Sequence, residues 1–164
     1  MHGTVSSNSK LNNFIGQVCT ALYACFPFSK LYDKHHKHHQ HVHTALDPDY
    51  NQGNFVTWYT SFIMEYLSWW QIVLMALIFN VLKFWIAEVN LILFWVLPSF
   101  LSTLQLFYFG TWLPHHGVHS NKHQSGTQKK NHLVAFLTCY FFGYHFEHHD
   151  SPGTPWWKLW KLKN

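Results

Sequence analysis

Two long apolar stretches in the middle of the chain constrain its fold more than any other feature. They run from about Trp69 to Ala87 and from about Leu91 to Leu113. A helix needs about 20 apolar residues to cross the roughly 30 Å hydrocarbon layer of a membrane. Both stretches therefore predict transmembrane helices. Only Glu88 to Asn90 separate them, so we expect the two helices to form an antiparallel hairpin.

The composition agrees with a membrane setting. Charged residues make up 11% of the chain and aromatic residues 20%, whereas a soluble domain usually carries about 25% charged residues. Much of the surface therefore cannot face water. We expect an all-α protein, an integral membrane helical bundle in a lipid bilayer, with residues 1–164 forming a single domain.

The lysines indicate how the hairpin is oriented. The net charge is +4 and the chain contains no arginine, so the arginine forks of a nucleic-acid-binding protein are missing and no nucleic-acid partner is expected. A hairpin returns the chain to the side that it left, which places both of its flanks on one face. The positive-inside rule predicts that this face is cytoplasmic. The flanking lysines are Lys30, Lys34, Lys37, Lys122, Lys129, Lys130, Lys158, Lys161 and Lys163.

Shorter apolar segments lie on either side of the hairpin. Asn12–Phe28 and Phe55–Leu67 predict a half-buried and an interfacial helix, and Leu133–Phe146 predicts one helix that leads into a histidine cluster. The tail from Pro152 carries tryptophans among lysines, as an interfacial anchor does. The three cysteines are odd in number and widely spaced, so neither a disulfide framework nor a cysteine zinc site is expected.

Two histidine boxes with identical spacing carry the chemistry. His35 to His39 and His145 to His149 each contain the pattern H-x-x-H-H. On a helix, positions i, i+3 and i+4 share one face, so each box can direct three imidazoles at a common point. Six imidazoles on one membrane face exceed the needs of one four-coordinate zinc and suit two metal ions. Imidazole binds zinc, copper, iron and nickel, so the spacing leaves the metal open.

The other polar motifs allow two interpretations. Asp47-Pro48-Asp49 is either a turn or a pair of carboxylates that orient ligand histidines, and a structural role is expected for Glu147. The aromatic runs Phe107–Phe109 and Tyr140–Tyr144 either pack in the core or line a slot for a long apolar substrate. His36, His41 and His43 stay open as supporting or solvated groups. Interfacial polar positions are the simpler assignment for His116, His119, His123 and His132.

The histidine boxes and the segments around them resemble the membrane fatty-acid desaturase and hydroxylase superfamily. Its carotenoid ketolase branch is the most similar, through Leu104–His115, Leu137–His149 with Pro155-Trp156-Trp157, and His35–Tyr50. The resemblance implies a helical bundle of the fatty-acid desaturase type with a histidine cluster on its cytoplasmic face. It also implies a di-iron centre. Its ligands would be His2, His35, His38, His39, His115, His145, His148 and His149.

The activity that this resemblance implies is the oxidation of carotenoids. A β-carotene ketolase uses two iron ions, with O2 as co-substrate and electrons from a ferredoxin-like donor, to oxidise the C4 methylene of a β-ionone ring. Two successive hydroxylations give a geminal diol, which loses water to leave the ketone. β-Carotene would thus become echinenone and then canthaxanthin.

The sequence departs from the family pattern at its start. The first box of the family reads H-D-x-x-H-G, and only Met1-His2-Gly3 matches its end. We therefore expect an N-terminally truncated chain that lacks the upstream transmembrane helices and makes little or no ketocarotenoid. Phe141 stands where related ketolases often carry a histidine.

Two other functions fit the same sequence features. The first is a fatty-acid desaturase or a carotenoid hydroxylase of the same superfamily. The second is a non-catalytic, histidine-rich membrane protein that binds or transports metal. Against transport, the two apolar stretches contain no histidine or acidic residue at mid-membrane depth.

Overall fold

The computed structural model describes residues 1–129 and 131–163, and this part of the chain is helical and contains no β-strand. It confirms the all-α prediction. Seven α-helices and one 3-10 helix follow one another within the described ranges. They are α1 (Ser9–Ala24), α2 (Phe28–His41), α3 (Phe55–Tyr66), α4 (Trp69–Leu82), α5 (Glu88–His115), α6 (His132–Cys139), α7 (His145–Asp150) and the 3-10 helix Trp156–Lys161.

Helices α1 and α2 form a close hairpin at the N-terminal end. The side chain of Asn8 caps α1 by accepting hydrogen bonds from the backbone N–H groups of Lys10 and Leu11. The helix ends where Cys25 adopts a left-handed conformation with φ of 54°. A Cβ atom at Gly16 would lie 2.4 Å from the ring of Phe28. Glycine at this position therefore allows the two helices to approach.

The first predicted span, 69–87, is shorter in the structure than the sequence indicates. Helix α4 ends at Leu82, and its 14 residues reach only about 21 Å at 1.5 Å per residue. The chain then continues in turns before α5 begins at Glu88. Helices α3 and α4 meet at a bend of 82°, and together they have the length and composition of one broken span. The predicted antiparallel hairpin of two transmembrane helices stays a prediction.

Helix α5 is long enough and apolar enough to cross a membrane by itself. It runs without a break from Glu88 to His115, over 28 residues, and it contains the whole of the second predicted stretch, 91–113. Large apolar side chains are exposed along it, including Phe94 at 78% and Phe100 at 66%. Such side chains in contact with lipid instead of water are typical of a membrane helix.

Two widened turns in α5 precede its two prolines. The N–H of Leu97 bonds to the carbonyl of Ile92, and the N–H of Leu113 bonds to the carbonyl of Tyr108, each five residues earlier. Pro98 and Pro114 follow directly. Proline has no N–H and its ring crowds the preceding turn, so a π-helical turn accommodates it without ending the helix. The second turn sets the direction in which His115 leaves the helix.

The chain from Leu133 to Phe146 is not one helix, and the prediction of a continuous helix is wrong. Helix α6 ends at Cys139, and Tyr140 and Phe141 both take left-handed conformations, with φ of 47° and 65°. The N–H of Tyr140 bonds to the carbonyl of Phe136, and that of Phe141 to the carbonyl of Ala135. These hydrogen bonds pair backbone carbonyls at the end of α6, and the two left-handed residues reverse the chain. Helix α7 therefore begins at His145 in a new direction.

A small aromatic core joins α3 to α5. Phe107 is fully buried and contacts Trp58 and Phe62, with its ring centroid 5.3 Å from that of Phe62. Tyr23 in α1 shares a 2.6 Å hydrogen bond with Ser102 in α5. Lys34 in α2 forms an ion pair with Glu65 in α3. These contacts hold α2 beside the end of α5, which is where the histidines of the two helices meet.

The central position of α5 offers a test of its membrane setting. Leu101 is 56% exposed near the middle of α5, and replacing leucine by lysine at a helix centre costs about 3 kcal/mol on insertion scales. We expect Leu101→Lys to reduce membrane insertion strongly in a glycosylation reporter assay. Val118→Lys is the control, because Val118 is fully exposed outside the helix. Equal insertion of both variants would contradict a membrane-spanning α5.

Candidate metal centre

The structure brings all eight predicted ligand histidines together and divides them into two groups of four. In each group one nitrogen from every imidazole lies within 4.8 Å of the others. We call them group 1 and group 2. Group 1 consists of His2, His35, His39 and His148, and group 2 of His38, His115, His145 and His149.

Each histidine box contributes to both groups, which corrects the expectation that one box points at one place. In α2, His35 and His39 belong to group 1 and His38 to group 2. In α7 the division is reversed, because His145 and His149 belong to group 2 and His148 to group 1. Successive residues are about 100° apart on a helix. Residue i+3 therefore lies about 60° to one side of residue i, and residue i+4 lies about 40° to the other side, so the two side chains point in different directions. The two groups therefore lie side by side.

The Nε2 atoms of group 1 form a closed ring. Nε2 of His35 is 2.8 Å from that of His2 and 3.3 Å from that of His148. Nε2 of His39 closes the ring at 3.3 Å from His2 and 3.1 Å from His148. All four rings thus present the same nitrogen to one point.

The Nε2 atoms of group 2 form a chain of three close approaches. Nε2 of His145 is 2.8 Å from that of His115 and 2.9 Å from that of His149. Nε2 of His149 is in turn 3.1 Å from that of His38. The four rings are buried, with exposed fractions between 2% and 6%.

These distances fit a metal ion in each group. Imidazole nitrogens that share an ion lie about 2.0–2.1 Å from it, which puts neighbouring nitrogens about 2.9 Å apart at right angles and about 3.4 Å apart in a tetrahedron. The separations of 2.8–3.3 Å in group 1 match this range. Uncharged imidazoles facing one another through the same nitrogen gain little from mutual hydrogen bonds, since each ring carries one proton. A cation between them uses all the lone pairs.

Burial keeps most of these imidazoles uncharged. It lowers the pKa of His2 to about 4 and that of His39 to about 3, with repulsion from other positive groups as a further cause. Burial and neighbouring histidines likewise hold the pKa values of His35, His145 and His148 well below their ordinary value. Only the neutral ring offers a lone pair to a metal. These histidines are therefore ready to bind one at neutral pH.

His38 differs from the others because carboxylates lie behind it. Its Nδ1 is 2.8 Å from an oxygen of Asp47 and 3.9 Å from one of Asp49. Burial, the largest single effect, lowers the pKa of His38, but the hydrogen bond to Asp47 and the charge of Asp49 outweigh it, and the pKa is raised. Of the two interpretations of Asp47-Pro48-Asp49, this geometry favours the orienting one.

The remaining histidines lie outside both groups. His43 donates through Nε2 to the backbone carbonyl of His115 at 2.8 Å, so it supports a member of group 2. Nδ1 of His36 is 2.8 Å from the carbonyl of Tyr32, and His116 stacks on Trp112 at 4.3 Å. His132 is hydrogen bonded to the hydroxyl of Tyr144 at 2.9 Å.

Glu147 lies between the histidines of α7 but turns away from them. Its carboxylate accepts a 2.6 Å hydrogen bond from the hydroxyl of Thr127 and lies 3.8 Å from the ammonium group of Lys163. It is buried, and its charge is matched by the lysine. Glu147 therefore ties α7 to the loop before α6 and to the C-terminal tail.

Phe142, in the aromatic run Tyr140–Tyr144, is a neighbour of the candidate centre. Its ring centroid is 5.7 Å from that of His145 and 5.2 Å from that of His148, so it touches one member of each group. The left-handed turn at Tyr140 and Phe141 aims it there. A Cβ atom at Gly110 would lie 2.9 Å from its ring. The sequence indicated an aromatic run here, and Gly110, a small residue in an otherwise bulky helix, provides the space for this contact.

Comparison with known proteins places the chain in a family. The sequence model of the family described as "Fatty acid desaturase" matches residues 1–90 and 64–164. A protein of Paracoccus sp. (strain N81106 / MBIC 01143), named "Beta-carotene ketolase", is 40% identical over 97% of this chain and 68% of its own length. The chain belongs to the fatty acid desaturase family.

Other relatives of this desaturase-family chain carry related names. "Beta-carotene 4-ketolase 3" of Haematococcus lacustris is 39% identical over 97% of the chain and 54% of its own length. "Zeaxanthin 4-ketolase" of Chlamydomonas reinhardtii is 38% identical over 99% of the chain and 39% of its own length. The chain thus spans about two thirds of the Paracoccus relative and about half of the Haematococcus relative. No solved structure matches it.

The contact between Gly110 and Phe142 can be tested by adding one methyl group. Gly110→Ala should force the Phe142 ring away, because the new Cβ would lie 2.9 Å from it, and overpacking of this kind costs about 1–3 kcal/mol. We expect a lower unfolding temperature for the detergent-solubilised protein. Gly153→Ala is the control, since a Cβ there meets nothing within 4 Å. Equal melting temperatures for the two variants would show that Phe142 is not held as described.

Proposed function

We propose that the protein is a di-iron oxygenase of the carotenoid ketolase type, which introduces a keto group at C4 of β-ionone rings. One observation carries the proposal. Two adjacent groups of four imidazoles, each with one nitrogen from every ring within 4.8 Å of the others, occur in a desaturase-family chain that is 40% identical to a protein named "Beta-carotene ketolase". The substrate of choice is therefore β-carotene, and the products are echinenone and canthaxanthin.

The eight histidines would hold two iron ions, four imidazoles to each ion. When bound, the iron pair supplies the O2 chemistry that oxidises a C–H bond no protein acid or base can deprotonate. The protein contributes neutral ligands of fixed direction. His38 is fixed by Asp47, and His115 is fixed by a 3.2 Å contact of its Nδ1 with the carbonyl of Gln124. Ligands oriented in this way do not need to rearrange when a cation binds.

The surroundings of the two groups suit an apolar substrate. Phe142 covers His145 and His148 on one side, and α5 carries exposed apolar side chains up to the histidines. A carotenoid dissolved in the bilayer could bring the methylene group of its ring to the metal centre without passing through water. Exclusion of water from this site limits side reactions that would consume O2 and electrons without oxidising the substrate.

The reaction needs electrons from outside the substrate. Each hydroxylation consumes one O2, two electrons and two protons and releases one water, and the geminal diol formed by the second then loses water to give the ketone. We propose a ferredoxin-like protein as the donor. It would reach the histidines from the cytoplasmic face, where the positive-inside rule places the flanking lysines.

A hydroxylated ring is the second candidate substrate. The Chlamydomonas relative is named "Zeaxanthin 4-ketolase", and zeaxanthin differs from β-carotene by a hydroxyl at C3 of each ring. The same C4 chemistry would apply to both. Feeding each carotenoid separately distinguishes the two substrates.

Pigment analysis in a host that makes β-carotene tests the proposed function. The protein is expressed from the complete reading frame that contains this sequence, and 4-keto products are quantified by chromatography. Conversion should fall at least about 100-fold in His149→Ala, because a group that acts as a unit fails when one member is lost. His41→Ala is the matched control, since His41 lies on the same helix as the first box but outside both groups. Ketolation that survives His149→Ala, or products oxidised at C3 only, would contradict the proposal.

A further inference from the structure

We propose that the two histidine groups bind their metal ions unequally, with group 2 taking up the first ion and holding it more tightly than group 1 holds the second. The inference rests on the proposed metal centre and deepens it. The two groups have the same number of imidazoles. They differ in the groups that contact the imidazoles on the side away from the proposed metal ion.

Behind group 2 lies a buried carboxylate fixed by three hydrogen bonds. One oxygen of Asp47 accepts from Nδ1 of His38 at 2.8 Å and from the N–H of Asp49 at 2.9 Å. The other accepts from the N–H of His43 at 3.0 Å. Asp47 is 6% exposed and His38 2%. A carboxylate that accepts the Nδ1 proton leaves Nε2 with its lone pair, fixes the ring and makes it more basic toward a cation.

A second acid adds to the negative charge on this side. Asp49 lies 3.9 Å from Nδ1 of His38, and its carboxylate accepts a hydrogen bond from the hydroxyl of Tyr66. The indole N–H of Trp58 donates to its backbone carbonyl at 2.6 Å. One buried acid, Asp47, and one partly buried acid, Asp49, thus face His38, and a buried charge is costly unless an opposite charge is near. A divalent cation in group 2 would supply that charge.

The two acidic residues of α7 do not place a comparable negative charge beside the histidines of either group. Glu147 is matched by Lys163 at 3.8 Å, and Asp150 is paired with Lys122. Neither carboxylate is hydrogen bonded to a histidine of group 1 or group 2 within residues 1–129 and 131–163. The unbalanced negative charge therefore lies on the His38 side.

Group 1 has no such support in the described part of the chain. No carboxylate there is hydrogen bonded to His2, His35, His39 or His148, and His2 and His39 are partly exposed. His2 also lies outside any helix. Its segment is held by Asn12, whose side chain accepts from the N–H groups of Val5 and Ser6 and donates to the carbonyl of Gly3. Group 1 is thus built partly on a segment fixed by one side chain.

Titration with cobalt(II) measures the difference without requiring activity. Purified, metal-free protein in detergent is titrated with Co2+ alone, and binding is followed by the visible absorption of histidine-bound cobalt. We expect two phases whose dissociation constants differ at least about 10-fold, because loss of such supporting groups changes metal affinity about 10–100-fold. His145→Ala should remove the tight phase and His35→Ala the weak one.

Asp47→Asn then tests the cause. It should weaken the tight phase by about 10–100-fold and leave the weak phase unchanged. Asp33→Asn is the matched control, because Asp33 is an exposed acid on the same helix as His38. Asn12→Ala should have the converse effect and weaken only the phase that His35→Ala removes. A thermal melt of every variant establishes that it is folded.

Each result decides the inference. Two phases assigned as above support it. Equal affinities, loss of the tight phase in His35→Ala, or equal weakening of both phases by Asp47→Asn would overturn it while leaving the metal centre in place. Absence of saturable Co2+ binding by the unmutated protein would overturn the proposed centre itself. If Asp47→Asn does not fold, the comparison of His35→Ala with His145→Ala decides the order of affinities.

Discussion

The structure depends on the meeting of eight imidazoles whose Nε2 atoms lie about 3 Å from one another. Such an arrangement is stable only if the rings are uncharged and something positive lies between them, because charged imidazoles at this distance would repel in a medium of low dielectric constant. Burial lowers the pKa values of His35, His145 and His148 and so keeps these rings uncharged, whereas the hydrogen bond to Asp47 and the charge of Asp49 outweigh burial and raise the pKa of His38. The metal ion that we propose for each group would supply the positive charge. The fold can then be understood as a set of helices that, together with the N-terminal segment carrying His2, brings eight imidazoles into two groups.

Three features of the helices and turns bring the histidines together. The spacing H-x-x-H-H on α2 and α7 divides each box between the groups, so two short helices serve two ions. The π-helical turn that precedes Pro114 lets α5 continue to His115 without a kink that would end it. The left-handed pair Tyr140 and Phe141 reverses the chain before α7. Left-handed conformations at non-glycine residues are unfavourable and concentrate at functional sites, and this pair also aims Phe142 at the histidines.

The sequence predicted well what depends on local periodicity. The helical nature of both boxes, the six histidines that they carry and the extent of α5 follow from helical spacing and from the length of an apolar run, whereas His2 and His115 were expected partly from the family resemblance. It predicted poorly what depends on contacts between distant segments. Gly143 is the one residue in Leu133–Phe146 that disfavours a helix, and neither Tyr140 nor Phe141, where the chain reverses, is a residue type typical of left-handed turns. The 82° angle between α3 and α4 and the contact of His43 with the carbonyl of His115 were likewise not predicted. The assignment of histidines to groups also required the packing of α2 against α7.

X-ray absorption at the iron edge of the iron-loaded, purified protein tests the central claim most directly. We expect two iron ions per chain, each with a first coordination sphere dominated by nitrogen and with the multiple-scattering signature of about four imidazoles. A sphere dominated by carboxylate oxygen, fewer than about two imidazoles per iron, or a preparation that holds zinc and rejects iron would contradict it.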